Sequence, residues 1–314
     1  MATRTGHESS LFVMSGTMGN LLGIRTHLVQ PPYSVLCDKR SHIVTSEAGN
    51  VSMWTGATIY TIAPTNGQYL TLEDVKANFI PGADTTFGFT RTGNPAVPNI
   101  HVCPTRLISL ENTLGGVIMP LAEAKRIVDW AHANKIQVHL DGARIWEVAA
   151  AGAGSLKDYC SLFDSVSLCF SKGLGAPVGS ILVGSKPFIE QARWYRKSIG
   201  GGTRQLGVLS SAARVAVDEI FGLGPNGEGG KLRETHEKAK KIADMWTRRG
   251  FKLSMPVQTN MVWLDLEGSG VPASKFFKIA TEKGLRLYSR LVIHYRKFSS
   301  RAWQTRLTRL IHIL

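Results

Sequence analysis

The sequence predicts an α/β protein in which helices sandwich a mostly parallel sheet in a large domain, followed by a smaller α/β domain. Apolar runs of strand length alternate with helix-length amphipathic stretches along most of the 314 residues, as in repeated βαβ units. Several of these runs are almost wholly apolar, as expected of strands buried on both faces. A Gly-rich stretch at 222–230 precedes a charged helix, so we expect a large domain at 1–222 and a smaller one at 223–314.

The predicted elements of the large domain follow one another with a helix between most strands. The strands are expected at 10–14, 34–37, 57–63, 107–110, 137–140 and 165–170. Helices are expected from Ser15 to Leu28, after Thr71, and over 121–134 and 156–163. Thr71 stands three residues before Asp74, which is a capping pattern. Residues 81–104 are expected to form an unusually long loop.

The predicted elements of the smaller domain are fewer and follow the same alternation. A strongly charged helix opens it, and a second helix separates its two strands. The helices are expected at 231–249, 273–283 and 301–314, and the strands at 258–266 and 290–295.

Composition excludes several classes of protein. No stretch approaches the ~20 apolar residues of a membrane span, and residues 1–10 lack the apolar core of a signal peptide. The four cysteines are scattered, with no CxxC pair, which favours free thiols in a reducing compartment. We therefore expect a cytoplasmic protein with no membrane partner.

The net charge of +14 raises the possibility of nucleic-acid binding. Seven Lys and Arg residues and no acidic residue lie within 286–314. No zinc finger, basic zipper or RNA-binding aromatic motif accompanies this charge, so a solvated basic tail is the simpler interpretation. We expect no nucleic-acid partner.

Lys172 carries the sharpest chemical signal. This lysine follows an apolar strand and lies in a Gly-rich turn. The small residues on both sides of the lysine let a planar ligand approach the backbone. A lysine in a partly desolvated pocket can lose its proton and form a Schiff base with an aldehyde. The alternative is a surface lysine at a strand end.

Asp141 ends another apolar strand, 31 residues before Lys172. One helix and one strand fit in that interval, so both side chains are expected at one edge of the sheet. A buried carboxylate needs a partner, and a protonated pyridine nitrogen on a cofactor would serve. A structural ion pair between Asp141 and Arg144 is the alternative.

Four further features are candidate binding elements. Ser15, Gly16 and Thr17 open a helix directly after a strand, which makes an anion site that suits a phosphate. His42 could stack on a planar ring, although a core or surface histidine is equally plausible. Arg290 could bind a substrate carboxylate, and Arg204, in a Gly-rich turn, could contact a phosphate or a neighbouring subunit. His101 and Cys103 have no second ligand pair, so we predict no metal site.

Together these residues closely resemble the threonine aldolase family of pyridoxal-phosphate enzymes, which have fold type I, the fold of aspartate aminotransferase. The matching stretches keep the family's order and span most of the chain. They are 11–20, 38–43, 108–113, 139–146, the run around Lys172, and 200–205.

The resemblance implies a role for each candidate residue. Lys172 would bind the aldehyde of pyridoxal 5'-phosphate and Asp141 would meet its pyridine nitrogen. The phosphate would lie at 15–17, and His42 would stack on the ring. Arg144 and Arg290 would bind the carboxylate of an amino-acid substrate. The implied reaction is retro-aldol cleavage of threonine-type 3-hydroxy amino acids to glycine and an aldehyde, in a homodimer or homotetramer.

Departures from the family pattern keep two alternatives open. The family's leading segment is not found before the phosphate motif, Leu114 stands where many bacterial members have His, and the loop at 81–104 and the basic tail are atypical. A truncated, inactive homologue is one alternative, and from the missing leader we expect poor turnover and self-association. The other is an alanine racemase of a peptide natural-product pathway, because some fungal proteins that resemble the family act in that way.

Overall fold

Seven strands form the central sheet of the protein. The structure, a computed structural model, describes residues 1–82, 100–285, 287–288, 290–293 and 301–313. The strands are β1 (Ser9–Val13), β2 (Ser34–Asp38), β3 (Thr58–Ile62), β4 (Thr105–Glu111), β5 (Gln137–Asp141), β6 (Ser165–Cys169) and β7 (Ser180–Gly184). Their order across the sheet is β1-β7-β6-β5-β4-β2-β3.

The sheet is mostly parallel, as predicted. Strands β3, β2, β4, β5 and β6 pair in parallel, whereas β7 runs antiparallel to both β6 and β1. Strand β1 therefore runs in the same direction as β6, and all strands except β7 end at one edge. Strand β7 was not predicted, because it returns directly from β6 without the intervening helix of a βαβ unit.

Thirteen α-helices lie in the described part of the chain. Those predicted at 121–134, 231–249, 273–283 and 301–314 form within two residues of the expected bounds, whereas the one predicted at 156–163 ends at Cys160. The helices are α1 (Ala2–Thr5), α2 (Gly16–His27), α3 (His42–Thr45), α4 (Asn50–Thr55), α5 (Leu72–Asn78), α6 (Leu121–Ala133), α7 (Ile145–Ala150), α8 (Leu156–Cys160), α9 (Lys186–Ser198), α10 (Gly207–Ala216), α11 (Leu232–Thr247), α12 (Ala273–Glu282) and α13 (Arg301–Ile313).

Sequence signals explain some helices and not others. Thr71 and Asp74 form the predicted capping box at the start of α5. Helices α1, α3, α4, α7, α9 and α10 were not predicted; of these, α7 overlaps a stretch that was interpreted only as a motif, and α10 follows one that was interpreted only as a turn. None of the helices among the described residues combines the length and apolar character needed to cross a bilayer.

A second, antiparallel sheet is built from the last third of the chain. It contains β8 (Lys252–Leu253), β9 (Met261–Asp265) and β10 (Arg290–Val292), with β9 in the middle. Trp246 and Phe276 are fully buried in its core, whereas Leu232 packs in the core beneath the central sheet. Helix α11 thus contributes to both cores, and the division between 1–222 and 223–314 stays a prediction.

Two predicted segments fall outside this description. Most of the loop expected at 81–104 lies outside the described residues, and so does the end of the strand expected at 290–295.

Candidate active site

A cavity of about 270 Å³ opens at the sheet edge where the parallel strands end. This is where ligands gather in open α/β sheets. Its lining brings together six of the residues that the sequence analysis selected, Ser15, Gly16, Thr17, His42, Asp141 and Lys172.

Lys172 and Asp141 come from neighbouring strands. Asp141 is the last residue of β5, and it lies opposite Ser167 of β6. Lys172 follows the end of β6 by three residues and is half-buried. The predicted spacing of one helix and one strand therefore places a lysine amine and a carboxylate in one cavity.

Asp141 is buried and accepts hydrogen bonds on both oxygens. Its Oδ1 accepts the N–H of Ala143 at 3.0 Å, and its Oδ2 accepts the side-chain amide of Asn20 at 2.7 Å. Among the described residues no ion pair joins Asp141 to Arg144, which was the structural alternative. Arg144 is half-buried at the start of α7, and its charge reaches the site, where it lowers the pKa of Glu111 against larger opposing effects.

The start of α2 forms the corner of the cavity that is suited to bind a phosphate. Ser15 caps the helix, with its hydroxyl accepting the N–H of Met18 at 3.1 Å. The first N–H groups of a helix have no partner within it and carry partial positive charge. A Cβ at Gly16 would lie 2.8 Å from the Cys169 sulfur, so the backbone packs too closely for a larger residue.

His42 is held by two carboxylates. Its Nδ1 lies 2.7 Å from Oε1 of the buried Glu47, and its backbone N–H donates to Glu111 Oε2 at 2.8 Å. A carboxylate acceptor fixes the hydrogen on Nδ1, which leaves Nε2 of the neutral ring as an acceptor. The imidazole is 38% exposed, so it is accessible from the cavity that it lines.

Three residues of the site escaped the sequence analysis. Asn20 and Glu47 line the cavity, and Glu111 ends β4 at the same sheet edge. Burial, and then the negative charge of Asp141, raises the pKa of Glu111 to about 8. The strand-end rule could have identified Glu111. Asn20 lay inside a recognised motif without a role, and no sequence signal pointed to Glu47.

Three predicted binding residues, Arg144, Arg204 and Arg290, do not line the cavity, and the role of Arg144 stays a prediction. Arg204 is exposed in the turn before α10. Arg290 is exposed at the start of β10, and its guanidinium carbon lies 5.3 Å from the ring centre of Trp263. Trp263 in turn donates to the carbonyl oxygen of Gly115, just after β4, at 2.7 Å. The roles of Arg204 and Arg290 stay predictions.

Comparison with known proteins assigns the chain to a family. The model of the beta-eliminating lyase family matches residues 1–269. The chain belongs to the beta-eliminating lyase family. Among its relatives, the aldolase vrtJ of Penicillium aethiopicum is 53% identical over 94% of this chain and 71% of its own length. The alanine racemase TOXG of Cochliobolus carbonum is 43% identical over 94% of this chain and 72% of its own.

Two further comparisons confirm the predicted resemblance. The low-specificity L-threonine aldolase of Candida albicans is 42% identical over 90% of this chain and 70% of its own length. The crystal structure of a putative L-allo-threonine aldolase from Listeria monocytogenes superposes with a TM-score of 0.75 at 23% identity. It covers 99% of this chain, and this chain covers 84% of it. The predicted threonine aldolase resemblance and fold type I are thus confirmed.

Proposed function

We propose that this protein is a pyridoxal-phosphate-dependent lyase that cleaves threonine-type 3-hydroxy amino acids to glycine and an aldehyde. The observation that carries the proposal is the cavity in which Lys172, Asp141 and the start of α2 meet. The Penicillium aldolase and the Candida threonine aldolase, each similar over at least 90% of this chain, support it.

The residues present fit the cofactor. Lys172 offers an amine for its aldehyde, Asp141 offers a buried anion for its ring nitrogen, and the start of α2 offers N–H donors for its phosphate. The close approach of Gly16 to Cys169 leaves the backbone bare at that corner. When bound, pyridoxal phosphate supplies an electron sink for the negative charge left at Cα when the Cα–Cβ bond breaks.

The chain supplies orientation and proton transfer. His42 would pack against the cofactor ring, and Glu47 keeps its Nε2 free, so that this nitrogen would accept the proton of the substrate 3-hydroxyl. Arg144 binds the substrate carboxylate, with Arg290 as its predicted partner. Arg204 is the predicted contact to the phosphate or to a neighbouring subunit.

An alanine racemase is the second candidate. The Cochliobolus racemase, 43% identical over 94% of this chain, favours it. That reaction uses the same lysine and carboxylate, but the Cα proton leaves and returns on the opposite face.

The first experiment locates the cofactor and then identifies the reaction. Borohydride reduction of the holoenzyme and peptide mapping should place the label on Lys172. Lys172→Ala should abolish labelling and turnover, whereas Lys186→Ala, at an exposed lysine on α9, should change neither. Aldehyde and glycine release from threonine and allo-threonine should exceed alanine racemisation. The reverse order would select the racemase, and a label on another lysine would overturn the site.

Asp141→Asn tests the electrostatic half of the proposal. The neutral amide cannot stabilise a protonated ring nitrogen, so kcat should fall at least roughly 10²-fold, which is about 2.7 kcal/mol of transition-state stabilisation. The phosphate contacts at α2 should preserve part of the cofactor affinity. Steady-state kinetics and cofactor titration measure the two effects. A variant with wild-type kcat would contradict the pairing.

We also propose a cytoplasmic homodimer or homotetramer whose reaction consumes threonine and forms glycine. The four free cysteines support a reducing compartment. Exposed large apolar side chains such as Met53, Trp54 and Trp194 support self-association. Light scattering on the purified holoenzyme would test the oligomeric state, and a monomer would contradict it.

A further inference from the structure

Five side chains form one hydrogen-bonded chain beneath the cavity, from His27 to Asp141. His27 Nε2 lies 2.8 Å from Ser165 Oγ, which lies 2.7 Å from His139 Nδ1. His139 Nε2 lies 3.3 Å from Asn20 Oδ1, and Asn20 Nδ2 donates to Asp141 Oδ2 at 2.7 Å. Ser165, His139 and Asn20 are fully buried, so the middle of this chain is shielded from solvent.

The helix α2 provides two of the five side chains from one face. Asn20 and His27 are seven residues apart, with Gly23 between them on the same face. A Cβ at Gly23 would lie 2.5 Å from His139 Cε1. The absent side chain therefore makes the space in which the His139 ring can reach Asn20.

The amide of Asn20 has only one workable orientation. Its Nδ2 lies 2.7 Å from Asp141 Oδ2 and 2.8 Å from Glu47 Oε1. Two buried carboxylates need donors, and only the NH2 group offers two hydrogens. The amide oxygen must then face His139.

That orientation sets the direction of every other hydrogen bond. His139 Nε2 must carry a hydrogen to donate to Asn20, so its Nδ1 accepts from the Ser165 hydroxyl. The Ser165 oxygen then accepts from His27 Nε2. Both imidazoles are neutral in this arrangement. Burial lowers the pKa of both His27 and His139 to about 3, which agrees with it.

We infer that Asn20 is a positioning residue, anchored through its amide oxygen by the His27–Ser165–His139 chain, that keeps the Asp141 carboxylate aimed at the cofactor ring nitrogen. All donors of the chain point toward Asp141, and the N–H of Ala143 adds another. Hydrogen bonds to the charged form of a carboxylate favour that form. The inference rests on the proposed function, because it assigns Asp141 to the ring nitrogen.

The experiment compares cofactor binding to two matched ligands. Equilibrium dialysis gives the dissociation constants for pyridoxal phosphate and for its analogue with carbon in place of the ring nitrogen. Their ratio, analogue over natural cofactor, isolates the contact with Asp141, because the aldehyde and phosphate are the same. Since a hydrogen bond to a charged group is lost, Asn20→Leu should lower the ratio roughly tenfold. The control Asn134→Leu removes a buried amide at the end of α6, remote from the cavity lining, and should keep the wild-type ratio.

Each outcome separates this inference from the proposed function. An Asn20→Leu protein that binds both ligands more weakly but keeps the wild-type ratio would reduce Asn20 to a packing role and overturn the inference alone. A wild-type ratio near one would overturn the ring-nitrogen assignment itself, and the inference with it. A lowered ratio supports both.

Ser165→Ala provides a milder variant if Asn20→Leu does not fold. It removes one hydroxyl and breaks the link between the two histidines, so the His139 ring that anchors the Asn20 amide loses its own hydrogen bond at Nδ1. The ratio should fall in the same direction, by roughly twofold to tenfold, as for one neutral hydrogen bond. An unchanged ratio in a folded Ser165→Ala protein would show that the chain beyond Asn20 does not act on Asp141.

Discussion

At the scale of the residue, the site contains several buried carboxyl groups and few cationic side chains that could balance their charge. Asp141 and Glu47 are stabilised by N–H donors from Asn20, Ala143 and His42. Donors of this kind partly offset the burial of a carboxylate while leaving the cavity free for a cationic ring. Glu111 lies at the same edge, and there burial and the negative charge of Asp141 raise its pKa and favour its protonated form.

Glu111 should give the cofactor-free protein a distinctive pH dependence. Its pKa rises from an ordinary value of 4.5 to about 8 in the native state. The native state thus holds a proton that the unfolded chain has released, so the free energy of unfolding falls as pH rises through this window. Glu111→Gln should remove that contribution, which has a slope of at most about 1.4 kcal/mol per pH unit.

Urea unfolding at several pH values between 5 and 8 measures the Glu111 effect. Glu73→Gln is the matched control, because Glu73 is an exposed glutamate whose pKa is lowered by its own backbone and by Arg126. Its titration lies below the window. Equal slopes for Glu111→Gln and wild type would show that Glu111 is ionised throughout.

At the scale of the element, the position of α2 against β5 and β6 builds the site. Gly19 and Gly23 lie where a Cβ would meet Ser167 Oγ at 2.3 Å and His139 Cε1 at 2.5 Å. Glycine is therefore required for the close approach, although it lowers the intrinsic stability of the helix.

Gly23→Ala should destabilise the protein despite the better helix propensity of alanine. The His139 ring is fully buried and is held by hydrogen bonds to Ser165 and Asn20. Overpacking of this kind costs about 1–3 kcal/mol. Gly207→Ala, at the start of α10 with nothing within 4 Å of the added Cβ, should be neutral or stabilising. Denaturant unfolding compares the two, and equal stabilities would contradict the packing argument.

A buried pair joins α7 to α11 behind the Lys172 turn. Glu147 Oε2 lies 2.7 Å from His236 Nε2, and the two side chains are 1% and 6% exposed. His236→Ala leaves the carboxylate without its partner, which should cost about 3–5 kcal/mol of unfolding free energy. Adding Glu147→Gln should recover part of that loss. Lys125→Ala, which breaks the exposed pair with Asp129, should cost only about 0.3–0.5 kcal/mol. Similar losses for the buried and exposed pairs would contradict this account.

At the scale of the whole molecule, the chain builds two cores without cross-links. Cys37, Cys160 and Cys169 are buried and Cys103 is half-buried, and all four are free thiols. Burial raises the pKa of Cys37 to about 12 and also raises the pKa of Cys160 and Cys169. The three buried thiols therefore contribute to packing and are expected to be unreactive.

Thiol reactivity should follow burial. In the native protein only Cys103 is expected to react quickly with an aromatic disulfide reagent, because the other three are both inaccessible and protonated. In denaturant all four should react. Cys103→Ser should abolish the fast phase, and fewer than four reactive thiols in the unfolded chain would mean that a disulfide forms.

The sequence by itself determined the features that follow from local pattern and strand direction. The alternation of strands and helices was enough to predict the parallel sheet. Because parallel strands end at one edge, the spacing of Asp141 and Lys172 was enough to predict that they lie in one cavity. The helix start at Ser15 could also be predicted, because helix capping depends on only a few neighbouring residues.

Only the tertiary structure decided which side chains surround those residues. Asn20 bonds Asp141 across 121 residues of sequence, and His236 bonds Glu147 across 89. Such contacts depend on how closely a helix approaches a sheet, and the raised pKa of Glu111 depends on how much water that packing removes. The spacing of residues in the sequence determines neither the distance between helix and sheet nor the degree of burial, because both are set by the packing of distant segments against one another.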